Sequence, residues 1–289
     1  MENQPNLKTL ATLVGNVLAA AGVIFLLIKM YEYGPNVAYV LQDSRVIAWS
    51  LLLACFYCCA NTPLALAWWQ LLKHFEKTAT RNAAIAIYGR SILGKYVPGN
   101  VMNVISRQAL GMGRGLPGWA LAKASFWELF CLASAGSVFI VLLAPEFGGG
   151  NINNSLIILL LLFIATVVSV LRYKSLACFA NAFTLQIIFL AFSGAIFTLL
   201  LSALNVYSLD SIDSFLFCTG AFVTAWLAGF LTPGAPAGVG IREVVLTTLL
   251  TNSAPESQLF GAIILSRLIT SVGDVGFFAI ITYQDKKER

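Results

Sequence analysis

The chain has 289 residues, of which 58% are hydrophobic and only 11% are charged. Soluble domains carry about 45–50% apolar and about 25% charged residues. Thirteen acids and eighteen bases are too few to cover a soluble protein of this length, and the net charge of +5 is spread between apolar blocks, which argues against a nucleic-acid partner. The composition predicts an all-α polytopic membrane protein.

Six apolar stretches reach the length of about 20 residues that a bilayer-spanning helix needs. The first resembles a signal peptide because Lys8 precedes it. Its apolar run is longer than the core of about 7–15 residues of a signal peptide, and no small-x-small cleavage site follows it, so we interpret it as a membrane anchor. The six predicted full spans are 10–29, 45–72, 119–144, 154–173, 181–205 and 258–283.

Two further apolar regions, 83–110 and 214–252, are interrupted by proline and glycine. Proline removes a backbone donor and glycine carries an entropy cost in a helix. Irregular backbone at membrane depth is tolerated where protein or a water-filled cavity satisfies its polar groups. We therefore predict two broken, re-entrant hairpins and leave open whether segment 214–231 reaches the far side. The breaks contain Gly94, Pro98 and Gly99, then Pro233, Gly234, Gly238 and Gly240.

The distribution of Lys and Arg predicts the orientation of the spans. Connections 145–153, 206–213 and 253–257 contain acids without bases and are expected outside. The N- and C-termini are expected in the cytoplasm, and the halves at about 45–144 and 181–283 acquire opposite orientations. The prediction is a single transmembrane domain, 1–289, built as an inverted repeat. The basic segments expected in the cytoplasm contain Lys8, Lys73, Lys77, Arg81, Arg114, Arg172, Lys174, Lys286, Lys287 and Arg289.

The two breaks share a motif at a constant offset of 135 positions, for example from Pro98 to Pro233. In each half an arginine, Arg107 or Arg242, follows that proline by nine positions. Inverted repeats with broken segments in corresponding positions are typical of secondary transporters. A broken helix leaves free N–H groups and a positive dipole end, which favour an anion. We expect the site where the hairpin tips meet, with the two arginines as counter-charges for a phosphate or carboxylate and Arg90 and Lys95 nearby.

Other charges lie deep in the apolar segments, where burial is costly and indicates function by default. Structural ion pairs within the bundle are the alternative, and snorkelling to the cytoplasmic interface is the alternative for Arg90 and Arg107. Glu243 adjoins Arg242 and could simply neutralise a neighbouring arginine, while Glu128 and Asp274 could carry protons in coupling. The further candidate substrate-binding residues are Glu128, Glu243, Arg267 and Asp274.

Two other patterns are not interpreted as functional sites. Residues Gly89 to Lys95 fit G-x-x-x-x-G-K, but Tyr96 follows where a P-loop has Ser or Thr, and no strand precedes it. The six cysteines lie in apolar segments of a chain with a single histidine, so we expect packing residues and neither disulfides, a metal site nor a cofactor. Interfacial aromatic belts are expected at Trp68, Trp69 and Trp119.

The two break motifs resemble the paired signatures of the lysylphosphatidylglycerol synthase transmembrane-region family. That family includes the flippase module of the multiple peptide resistance factors and stand-alone relatives, and the resemblance covers about residues 10–285. It implies a bacterial cytoplasmic-membrane protein that translocates phospholipids or polyprenyl-phosphate-linked sugars. The motifs are Gly94-Lys95-Tyr96-Val97-Pro98-Gly99 and Pro233…Gly238-Val239-Gly240-Ile241-Arg242-Glu243. The resemblance carries over the positions Pro98, Gly99, Arg107, Arg242 and Glu243.

We expect a departure from the resistance factors, in which a soluble aminoacyltransferase domain follows the membrane part. The expected lipid therefore need not be aminoacylated. The leading hypothesis is a lipid translocase that is not an enzyme. The alternatives are a lipid-modifying enzyme subunit and a membrane scaffold with a glycosyltransferase or lipid-synthase partner. The identity of the lipid, the direction and energy source of transport, and homo-oligomer formation stay open.

Overall fold

The structure is a computed structural model that describes residues 43–97, 102–144, 154–173, 176–207, 211–232, 238–250 and 256–287. Every regular element in these ranges is helical. Short 3-10 helices at Ile92–Tyr96 and Phe139–Leu143 follow the second and fourth α-helices. In chain order the α-helices are α1 (Ser44–Phe75), α2 (Arg81–Ser91), α3 (Met102–Gly113), α4 (Gly118–Val138), α5 (Asn154–Tyr173), α6 (Ala177–Ala203), α7 (Ile212–Leu231), α8 (Ile241–Leu250) and α9 (Glu256–Lys287).

Among the described residues, five helical segments are long and apolar enough to cross a membrane. Four of them, Ser44–Phe75, Gly118–Leu143, Ala177–Ala203 and Gln258–Lys287, match predicted spans. The chain is therefore a membrane-embedded all-α protein. The predicted span 154–173 coincides with helix α5, whose apolar stretch among the described side chains is Leu160–Tyr173.

The fifth spanning segment is α7, in the second interrupted region. Its 20 residues correspond to about 30 Å of helix, which matches the thickness of a hydrocarbon core. The first interrupted region begins instead with α2, which has 11 residues and is too short to span. The first helices of the two interrupted regions are therefore unequal in length, and only that of the second region is long enough to span. The predicted first span, 10–29, lies outside the described residues.

Polar residues define where several of these apolar helices begin. The side chain of Asp43 accepts from the backbone N–H of Arg45 before α1. Thr80 accepts from the N–H of Ala83 at the start of α2, and Ser211 caps α7 in the same way. Such caps satisfy N–H groups that have no partner within the helix.

The first long helices of the two predicted halves, α1 and α6, pack against each other along their lengths. Tyr57 contacts Phe189 and, further along α1, Phe75 contacts Phe179. The residue numbers rise on α1 while they fall on α6, so the two helices are antiparallel. Both are buried on this shared side, where Leu53, Trp68 and Leu190 belong to the core.

Two further pairs of helices pack across the two halves. In the first crossing, Gly89 of α2 lies against Ile281 of α9. In the second, Gly136 of α4 lies against Leu227 of α7. A Cβ atom on Gly89 would come within 2.7 Å of the isoleucine side chain, so the small residue permits this close helix contact. Each half thus supplies the final long helix on which the interrupted region of the other half packs.

Candidate functional site

A cavity of about 130 Å³ lies at the centre of the bundle, between the two interrupted regions. Lys95, Tyr96 and Asn103 line it from the first region, and Gly229 and Gly238 line it from the second. The described flanks of both breaks therefore face one space. The four break residues Pro98, Gly99, Pro233 and Gly234 lie outside the described residues.

Asp274, on α9, is fully buried at one wall of this cavity and has three partners. Lys95 Nζ lies 2.7 Å from its Oδ2, and Tyr96 Oη donates to the same oxygen at 2.5 Å. Asn61 Nδ2, from α1, donates to Oδ1 at 3.1 Å. A buried carboxylate needs such charge and hydrogen-bond partners to offset its lost hydration. The cluster fastens the flank of the first break to α1 and α9.

Arg107, on α3, forms an ion pair with Glu128 of α4. Both side chains are almost fully buried, with 3% exposure each. The guanidinium also lies over the ring of Tyr88, 4.2 Å from its centroid, and over Trp68 at 5.2 Å. This burial argues against snorkelling of Arg107, because the guanidinium points into the bundle rather than to an interface. Its charge is matched within the protein.

Arg242, in the first turn of α8, is also buried, at 6% exposure, and lines the same cavity. Its guanidinium lies over the ring of Phe222 at 4.2 Å. Within the part of the chain that the structure describes it makes no ion pair, and its Nε has no hydrogen-bond partner. The charge of Arg242 is therefore not matched by any described carboxylate at contact distance.

Glu243, the neighbour of Arg242 in sequence, is committed elsewhere. Its Oε1 accepts from Arg267 Nε of α9 at 2.7 Å, and its Oε2 accepts from the backbone N–H of Gly240 at 2.6 Å. The second contact is one of the two hydrogen bonds of a capping box, in which a Glu in the first turn accepts from the backbone N–H of the N-cap residue. Gly240 has φ +90 and Gly238 has φ +70, a backbone conformation that glycine adopts without strain. The acid thus holds α8 in place and leaves Arg242 unmatched.

The cavity is consequently electropositive. Its lining contains four basic side chains and two acidic ones, and the third acid, Glu243, pairs with one of those bases from behind the lining. Three ion pairs account for three of the bases. Because apolar helices surround the cavity and screen it poorly, the field of the remaining Arg242 is strong there. Arg242 also sits at a helix N-terminus, whose dipole adds positive potential. The space is suited to an anion.

Two buried amide side chains, one that lines the cavity and one outside its lining, were not singled out from the sequence. Asn61 on α1 and Gln186 on α6 are fully buried, and Gln186 Nε2 donates to the backbone oxygen of Glu128 at 3.1 Å. Each is an amide side chain inside a predicted membrane span, where burial of a polar group is costly. This pattern could have identified both residues from the sequence. The expectation that Trp68 belongs to an interfacial belt is wrong, because Trp68 is 0% exposed and stacks with Arg107. Trp119 is 55% exposed, as a belt residue would be.

Arg90 is the one predicted site arginine that the structure places away from the cavity. It pairs with Asp285 near the end of α9 at 3.2 Å, and Arg114 binds the same carboxylate. The reason is helical geometry: Arg90 lies in the last turn of α2, on the face toward α9. Gly94 and Glu243 also lie outside the lining, although each contacts a residue that belongs to it.

The chemistry that these side chains offer is electrostatic binding. Across the described residues, no group of three His, Cys, Asp or Glu side chains is arranged to hold a metal ion. The six cysteines, all free, are distributed over apolar helices. Comparison of the chain with protein-family models, with curated proteins and with solved structures finds no match. The resemblance to the lysylphosphatidylglycerol synthase transmembrane-region family therefore stays a prediction.

Proposed function

We propose that this protein is a lipid translocase that moves an anionic phospholipid or a polyprenyl-phosphate-linked sugar across the cytoplasmic membrane of a bacterium. The observation that carries the proposal is Arg242, a buried guanidinium in the central cavity that forms no ion pair with any described residue. A charge in such a place costs several kcal/mol on its own, so a binding partner of opposite sign is the physical reason to keep it. A lipid phosphate supplies that sign.

The predicted inverted repeat supports transport by alternating exposure. Gly94 lies against the backbone of Asn103, and Gly229 lies against the backbone of Gly238. Both residues of the second contact follow those of the first by 135 positions, the offset seen in the sequence. A Cβ atom on Gly94 or on Gly229 would come within 2.7 Å or 2.9 Å of the opposite Cα atom. The described flanks of the two breaks thus make corresponding contacts.

The antiparallel packing of α1 on α6 and the exchange of partners between the halves fit this symmetry. In this proposal one half rocks against the other, and the cavity faces each side of the membrane in turn. The basic connections favour N- and C-termini in the cytoplasm. The lipid is the partner that the geometry favours, and the acyl chains stay in the bilayer during transport.

The size of the cavity indicates which part of the lipid it holds. Its volume of about 130 Å³ is close to that of an engineered cavity of about 150 Å³ that accepts a benzene molecule. Such a space accommodates a phosphate group and little more. We propose that the phosphate binds Arg242 while the rest of the headgroup occupies space that opens as the halves move.

Transport by the purified protein in liposomes tests the proposal. Labelled phosphatidylglycerol and a labelled polyprenyl-phosphate sugar are offered in separate experiments, with labelled phosphatidylcholine for comparison. We expect protein-dependent movement of one of the two anionic lipids. In Arg242→Met the transport rate should fall at least about tenfold, because a hydrogen-bonded charge contact contributes about 1.5–3 kcal/mol. Lys123→Met, which removes an exposed charge of α4, is the matched control and keeps the wild-type rate.

Failure of every anionic lipid to move, in protein shown to be folded, would contradict the proposal and favour a scaffold or an enzyme subunit. Equal movement of phosphatidylcholine and of the anionic lipids would contradict the role of Arg242. Binding of a glycosyltransferase without lipid movement would favour the scaffold.

A further inference from the structure

A second cavity lies at one end of the bundle, away from the central one. It is a groove of about 390 Å³ between the end of α1, the start of α2, the end of α5 and the start of α6. We call it the lateral groove and define it by Trp69, Gln70, Arg81, Arg172, Asn181 and Leu185. None of these six residues lines the central cavity.

The lateral groove is basic, and its described lining contains no acid. Arg81 and Arg172 are exposed and line it, and Lys73 lies beside it with its Nζ 5.3 Å from the centre of the Trp69 ring. Within the described ranges none of these three cations forms an ion pair. The nearest acid in sequence is Glu76. The hydroxyl and the backbone amide of Thr78 donate hydrogen bonds to the carboxylate of Glu76. These bonds lower the pKa of Glu76 and hold its carboxylate beside Thr78.

The rest of the lining suits an amphipathic molecule. Gln70 and Asn181 offer amide groups that can bind hydroxyl or ester oxygens. Leu66 and Leu185 provide an apolar wall on two helices that are long and apolar enough to span a membrane. The Nε1 of Trp69 donates to the backbone oxygen of Ala79 at 3.2 Å, which fixes the ring and with it the edge of the groove. A charged end and an apolar wall lie next to each other.

From these contacts we infer that the lateral groove binds one anionic phospholipid, with the phosphate between Arg81 and Arg172 and an acyl chain against the leucines. The groove lies at the helix ends whose connections carry the basic residues expected on the cytoplasmic side. Basic pockets between transmembrane helices on that side bind anionic headgroups. This lipid is a bound partner and not the transported molecule, so the inference does not depend on translocation.

Binding of phosphatidylglycerol and of phosphatidylcholine with the same acyl chains, measured by native mass spectrometry on the full chain, tests the inference. All proteins carry Arg242→Met so that the central cavity does not contribute. We expect a preference for phosphatidylglycerol, and affinity about thirty-fold weaker after Arg81→Gln with Arg172→Gln, from two bases near the membrane surface. Lys77→Gln with Lys123→Gln removes the same charge from exposed positions outside the groove and keeps the affinity.

Three results would overturn the inference. Equal binding of the two lipids would remove the role of the phosphate charge. An equal loss in the two charge-matched variants would indicate general electrostatic attraction and no groove site. Displacement of phosphatidylglycerol by inorganic phosphate or glycerol phosphate at lipid-like concentrations would indicate a site for a soluble anion. Because Arg81 and Arg172 are exposed, their replacement leaves the buried core intact, and helical content and a monodisperse elution profile check this.

Discussion

The two arginines at corresponding positions of the two halves have similar aromatic surroundings, but only one of them is paired with an acid. Arg107 and Arg242 are both buried, and each lies 4.2 Å from the centre of an aromatic ring, Tyr88 or Phe222. Arg107 is paired with Glu128, whereas Arg242 has no ion pair among the described residues. One half therefore holds a structural ion pair, and the other holds the unmatched charge. The shared motif alone does not distinguish them.

The largest expected effect concerns the paired arginine. Glu128→Leu leaves Arg107 buried and unmatched, and we expect it to lower the free energy of unfolding by about 3–5 kcal/mol. Adding Arg107→Met restores most of that loss, because apolar residues of similar volume replace a buried pair with little change in stability. Steric trapping in bicelles measures the unfolding free energy. A double variant as unstable as the single one would show that the ion pair is not what the two side chains contribute.

The identities of the spans could be predicted from the sequence because length and apolarity decide them. The predicted segment 45–72 lies within α1, and 258–283 lies within α9. The ion pairs could not be predicted. Glu243 follows Arg242 directly, but neighbouring residues of a helix point about 100° apart, so the acid faces Arg267 on α9 instead. Nor did the sequence indicate that the isolated amide of Asn61 contacts Asp274, since 213 positions separate the two residues.

An intermediate effect concerns the backbone contacts that the two halves share. Gly94→Ala and Gly229→Ala each bring a Cβ atom against backbone that has no flexible side chain to move. We expect each to lower the free energy of unfolding by about 1–3 kcal/mol, as overpacking does, and by similar amounts. Gly118→Ala is the control, because the flexible side chain of Met112 can give way there. A large loss in only one half would break the correspondence of the two breaks.

The smallest expected effect on stability concerns the unmatched arginine. Arg242→Met loses a cation–π contact with Phe222 of about 1 kcal/mol. It also removes the cost of burying an unmatched charge. These terms oppose each other, so we expect the free energy of unfolding to stay within about 1 kcal/mol of the wild type. A loss as large as that of Glu128→Leu would show that Arg242 has a structural partner and would weaken its assignment to the anion.

The most direct test of the central claim is the affinity for a short-chain anionic phospholipid, measured by titration of the detergent-solubilised protein. All proteins carry Arg81→Gln and Arg172→Gln, which remove the two charges of the lateral groove. In this background we compare the otherwise unchanged protein, Arg242→Met, and Arg107→Met with Glu128→Leu. We expect Arg242→Met to weaken binding at least about tenfold. The neutral double change leaves the charge of the cavity unaltered and should weaken binding less. Equal losses in the two variants, or unchanged binding in Arg242→Met, would contradict the assignment of the anion to Arg242.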